Sequence, residues 1–336
     1  MIYLKKLLNT CNIHLMRLFI FLCLLTLLSC SSEIKNSQLL YNKPDPSKGF
    51  NFPYLLFIPD DMKTENELVL IVEPNNSGFA SDDFKRHLEK AERTASRDFY
   101  LGNYVARKLK YPLLVPVFPR PESDWKIYTH AYDRDLALQK ENELERIDLQ
   151  LLAMIDHARQ ILSEKGFSIN EEILMTGFSA SGTFINRFSA IHPERVMAYA
   201  AGGVNGLLIL PLDELNGESL PFPVGVHDFK LLFGKTFNAK AFKNTPQFLF
   251  MGENDDNDAI LFDDGYDEYE RNLIFRLLGE EMQPVRWQKC REIYSDENVD
   301  AEIITVMNTG HEQTGFIKNE VVDFFRIRIL KSQDDN

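Results

Sequence analysis

The chain has 336 residues, 44% of them hydrophobic, and a formal net charge of −13. That is ample for one large core. So acidic a chain, with no basic stripe, is unsuited to nucleic acid or to anionic lipid headgroups, because phosphate binding needs clustered cations.

The first thirty residues stand apart. Met16 and Arg17 lead into an apolar run from Leu18 to Leu28, followed by Ser29 and Cys30. The run is too short to span a bilayer comfortably. A basic residue, a short apolar core and a small residue before cysteine resemble a bacterial lipoprotein signal. That resemblance implies removal of residues 1–29, a lipid on Cys30 and attachment to membrane at the cell envelope. Lys5, Lys6 and Arg17 leave with the leader and no acid does, so anchorage rests on the lipid. Cys11 and Cys23 leave too, and Cys290 then has no partner for a disulfide.

Residues 30–49 are polar, with two prolines, and read as a tether. Residues 52–59 predict a strand ending at Pro59. From Glu67 to Glu73 the run is continuously apolar, as a strand buried on both faces requires. It breaks at Pro74-Asn75-Asn76-Ser77-Gly78. Helices are predicted over 81–96 and 102–109, and a strand over 111–118. Between Tyr128 and Asp135, aromatics crowd with His130 and Arg134. This fits either a cleft rim or a buried network pairing Arg134 with nearby acids. His130 and His227, in irregular segments, are both rim candidates. Ile147, Leu151, Ile155 and Ile161 fall at helical spacing and predict a long helix over 144–164. Further strands are predicted at 173–176, 195–201, 246–251 and 301–307, and helices at 267–279, 284–296 and 317–330. Strands alternating with helices predict an α/β domain with a doubly wound, mostly parallel sheet over residues 50–332.

One turn is unusual. Strand residues 173–176 run into Gly177-Phe178-Ser179-Ala180-Ser181-Gly182, and a helix follows. A serine at such a tip has its hydroxyl held out over the sheet edge, and small residues must flank it. The helix N-terminus behind it favours a developing oxyanion. The segment resembles the G-x-S-x-G nucleophile elbow of the α/β-hydrolase superfamily, with Ser181 where the last glycine usually stands and Gly182 one place later.

The resemblance implies the α/β-hydrolase fold and a triad in the order serine, acid, histidine, each just past a strand. Ser179 would be the nucleophile. The loop Gly252-Glu253-Asn254-Asp255-Asp256-Asn257-Asp258 offers Asp255 as the acid, with Asp258 as runner-up. Gly310-His311, after the last strand, offers the base. A serine hydroxyl needs such a base, and the base needs an acid to orient it. Oxyanion donors would be the amide of Ala180 and that of Asn76, or the Asn75 side chain. The common His-Gly of that loop is absent. An insertion at 203–245, apolar and proline-rich, would form a small cap walling an acyl pocket, or else a core-packing excursion. The implied activity is acyl transfer to water, most simply at a carboxylic ester on a small molecule or polymer. It needs no metal or organic cofactor. Peptidase or acyltransferase chemistry would use the same triad, and a non-catalytic ligand-binding lipoprotein is the reading from another class.

Overall fold

The computed structural model describes residues 37–62, 66–204 and 206–334. The signal at 1–29 and Cys30 lie outside the described residues.

Among the described residues, ten strands and ten α-helices follow in order. They are β1 (Gln38–Asn42), β2 (Tyr54–Ile58), β3 (Leu68–Val72), α1 (Phe84–Ser96), α2 (Leu101–Leu109), β4 (Leu113–Pro116), α3 (Arg134–Ala137) and α4 (Ile147–Glu164). Then come β5 (Ile169–Phe178), α5 (Ala180–Ile191), β6 (Val196–Gly202), β7 (Glu214–Leu215), β8 (Glu218–Ser219), α6 (Phe229–Phe233) and α7 (Ala239–Asn244). The chain closes with β9 (Gln247–Gly252), α8 (Glu268–Leu278), α9 (Trp287–Asp296), β10 (Ala301–Val306) and α10 (Gly315–Asp334). Eight strands form one sheet in the order β1-β2-β4-β3-β5-β6-β9-β10. The pairs of β2 with β1 and β4 are antiparallel, and the other six strands run parallel.

Both faces of the sheet are covered, which is why its central strands read as unbroken apolar runs. Every residue of β3 is buried. Leu70 and Val72 point into one core with Met154 of α4 and Phe184 of α5; Val69 and Ile71 point into the other with Val105 of α2 and Phe325 of α10. The register sets the ends level. Phe178 pairs with Gly202, Gly202 with Phe250, and Val306 with Gly252. The segments that follow β5, β6, β9 and β10 therefore leave one edge side by side, the edge where α/β sheets place ligands.

Two expectations change. The tether is shorter, because Gln38–Asn42 adds an antiparallel edge strand to β2 and Asp45 caps a turn behind it. The insertion at 203–245 carries the β7–β8 hairpin and two short helices, but most of its apolar residues are core, Leu231 being exposed. Leu208, Leu210, Phe222 and Phe229 are buried in the same cluster as α4 and α5.

Candidate active site

Ser179 sits between β5 and α5 with φ 62° and ψ −129°. A non-glycine residue there is strained, and such strain persists only where its surroundings enforce it. Here the enforcing contacts are visible. The Ser179 N–H donates to the Gly202 carbonyl at 2.9 Å, and its own carbonyl accepts from Thr183 N–H at 3.0 Å. A Cβ on Gly177 would fall 2.4 Å from the Ser181 carbonyl oxygen. A Cβ on Gly182 would fall 2.5 Å from that of Gly202. Gly182 thus meets the need for close helix–strand approach one place late. Ser181 closes the turn: its Oγ accepts from Phe178 N–H at 2.9 Å and donates to the Phe178 carbonyl at 3.0 Å.

His311 and Asp255 meet beside this turn. Nδ1 of His311 lies 2.9 Å from Oδ2 of Asp255, whose other oxygen accepts from the Asn257 N–H at 3.0 Å. The carboxylate is almost sealed from water and the imidazole is a quarter exposed. Phe178 lies against the ring at 4.7 Å between centroids. Nε2 of His311 faces Nδ2 of Asn257 at 3.3 Å. Gly203, at φ 57°, makes room, since a Cβ there would lie 2.8 Å from Cε1 of His311. Asp258 is used elsewhere. It caps the turn at Ile260 and pairs with the buried Arg286 at 2.5 Å.

Ser179, His311 and Asn76 line one cavity of about 670 Å³, with Phe79, Phe99 and Phe178 as aromatic walls. Ala180 opens α5 immediately after Ser179. Asn75 turns inward instead, its Oδ1 accepting from the Ser77 N–H and hydroxyl, both at 2.9 Å. None of the described residues of 203–245 lines this cavity. His227 belongs to that insertion and lies outside the cavity lining.

His130 is no rim residue either. It is buried beneath the 74–78 loop, with Nδ1 3.2 Å from the Ser77 hydroxyl and Nε2 2.9 Å from the Phe118 carbonyl oxygen. Burial pushes its pKa down to about 4, so it pins the loop as a neutral ring. Its neighbours form the buried network alternative. Arg134 pairs with Asp228 at 2.7 Å, and the Tyr132 hydroxyl donates to Asp148 at 2.8 Å. Cys290 is fully buried, which raises its thiol to about 11.

Sequence reasoning missed several residues of this region. Lys90 and Arg93 of α1 also line the cavity. They stand three apart on the helix, a spacing that shares a face, but spacing does not say what the face looks on. Glu73, at the end of β3, is wholly buried and accepts from the Gly102 N–H at the start of α2. Burial pushes its carboxyl up to about 8. Its position at the end of an apolar strand was the visible signal.

A hydroxyl on a strained turn, an imidazole backed by a carboxylate and a helix N-terminus beside one cavity are the parts nucleophilic acyl transfer uses.

No family model matches this sequence, and neither does any curated protein. Solved structures do. A poly(aspartic acid) hydrolase from Sphingomonas sp. KT-1 is similar at a TM-score of 0.54 and 16% identity, over 86% of this chain and 97% of the other. A poly(3-hydroxybutyrate) depolymerase from Bordetella parapertussis is similar at a TM-score of 0.50 and 16% identity, over 87% and 89%. At such identities the likeness concerns the fold, and the chain has the α/β-hydrolase fold.

Proposed function

We propose that this chain, built on the α/β-hydrolase fold, is a serine hydrolase that cleaves a carboxylic ester through an acyl-enzyme. The observation that carries this reading is the strained Ser179 turn sharing a cavity with His311, whose Nδ1 is held by Asp255 at 2.9 Å. In this reading His311 takes the Ser179 proton as Oγ attacks the carbonyl carbon. The N–H groups of Ala180 and Asn76 receive the oxyanion, and Asp255 stabilises the imidazolium. The imidazolium returns the proton to the departing alkoxide. Water, activated by the same ring, then releases the acid. The similarity of the fold to a hydrolase and a depolymerase supports a hydrolase.

The test is a panel of p-nitrophenyl esters of increasing chain length. Hydrolysis should fall to near background in Ser179→Ala and in His311→Ala. Turnover surviving either change would remove that residue from the mechanism. Matching amides, and alcohols as competing acceptors, separate the peptidase and acyltransferase forms of the same chemistry.

One observation favours a second reading, a ligand-binding protein without turnover: the Asn257 amide faces Nε2 of His311. An amide N–H there competes with the serine hydroxyl for the lone pair. Asn257→Ala should then raise the ester rate of an enzyme, whereas a binding protein would hydrolyse none of the panel with or without it.

The lipoprotein reading of residues 1–30 is likewise a proposal. Radiolabelled palmitate should enter the wild-type chain in a bacterial host and not Cys30→Ser.

A further inference from the structure

Cations are few in this chain and acids are plentiful, with 37 Lys and Arg against 50 Asp and Glu. Most half-buried cations accordingly have an acidic partner. Arg134 meets Asp228, Arg146 meets Asp148 and Lys243 meets Glu297, as the fully buried Arg120 meets Asp264. Arg93 is different. It is half-buried on α1 and lines the Ser179 cavity. Among the described residues its guanidinium enters no ion pair or hydrogen bond, although five donors await one. Lys90, one turn earlier, lines the same cavity, donating to the Tyr100 hydroxyl at 3.2 Å and lying 4.7 Å from that ring's centre, with the buried Glu73 carboxyl within its field. The carboxylate of Glu312 also borders the cavity, but it is exposed to water, which screens it. Phe79 and Phe99 stand on the same lining, and Phe99 is 70% exposed.

A guanidinium that borders a cleft without a protein partner keeps its donors free for an anion that enters it. A planar fork matches a carboxylate in two parallel hydrogen bonds, and the low dielectric of a cleft strengthens them. Aromatic walls beside it favour an apolar body. We infer that the cavity selects an ester carrying a free carboxylate next to an apolar or aromatic portion, with Arg93 binding that carboxylate and Lys90 adding to the field. The inference rests on the hydrolase reading for its word "ester", and on the cavity alone for the carboxylate.

The experiment separates the two by measuring binding without turnover. The Ser179→Ala chain is titrated calorimetrically with monophenyl glutarate, which carries the anion on the acyl side, and with 4-acetoxybenzoate, which carries it on the alcohol side. Each is compared with its neutral methyl ester. The anion of at least one pair should bind about tenfold tighter or better, and more weakly as salt rises. Arg93→Gln on the same background should erase most of that preference, and Arg93→Glu should reverse it, with circular dichroism confirming that both variants are folded. Equal binding of anion and neutral ester in both pairs overturns the inference. So does a preference that survives both Arg93 substitutions. Turnover of the same esters by the wild-type chain reports separately on the hydrolase reading.

Discussion

Nδ1 of His311 lies 2.9 Å from Oδ2 of Asp255 although 56 residues separate them, because β9 and β10 run parallel and in register. The runner-up acid three residues on, Asp258, is bound to the fully buried Arg286 instead. The two carboxylates therefore have opposite signatures. Asp255→Asn leaves Nδ1 facing an amide, and ester turnover should fall about 10³–10⁴-fold with little change in stability. Asp258→Asn leaves a buried guanidinium uncompensated and should cost about 3–5 kcal/mol in urea unfolding, with turnover per folded molecule within a fewfold of wild type. Initial rates and denaturation curves on both variants check this. The reverse pattern would make Asp258 the partner of His311.

Gly203 tests how closely the imidazole must be held. Its φ of 57° makes alanine unfavourable by about 1–2 kcal/mol, and the new Cβ would press on Cε1 of His311. Turnover should fall about 10- to 100-fold as the ring is displaced. Gly217 supplies the control, since φ there is 80° and nothing lies within 4 Å of an added Cβ. Gly217→Ala should lose similar stability and keep its activity. Equal rates in the two variants would contradict the role given to Gly203.

The sheet edge that carries these groups was largely legible in the chain. Continuous apolar runs mark strands covered on both faces, and the small residues after them mark turns, so Ser179, Asp255 and His311 fall at strand ends in order. The edge strand β1 was not legible. Its residues alternate between exposed and half-buried, so Gln-Leu-Leu-Tyr-Asn carries little apolar signal among polar neighbours. The role of the insertion stayed open between cap and core for a different reason. Hydrophobicity reports that Leu208, Phe222 and Phe229 are buried, not whether they face a substrate or the core. Arg93 escaped because its importance lies in the partner it lacks, which only packing reveals.

Glu73 gives stability an unusual dependence on pH. Burial raises its carboxyl to about 8, and the buried Asp133 and Glu270 rise to about 8 and about 7 for the same cause. These folded-state values lie above those of the unfolded chain. The stability they confer is thus complete below about pH 4 and is lost as pH climbs toward 8, where the folded state must release the protons. Glu73→Gln keeps an acceptor for the Gly102 N–H without the ionisation. Between pH 5 and pH 9 the wild type should lose more stability than this variant, by about 2 kcal/mol or more. Asp133 and Glu270 would retain some of the alkaline loss in both. Parallel melting curves across that range would contradict the assignment.

The most direct test of the central claim is peptide mapping after treatment with a fluorophosphonate. One covalent adduct is expected, on Ser179, absent from Ser179→Ala and formed far more slowly in His311→Ala. A folded wild-type chain that takes up no adduct, or carries it on another residue, would contradict it.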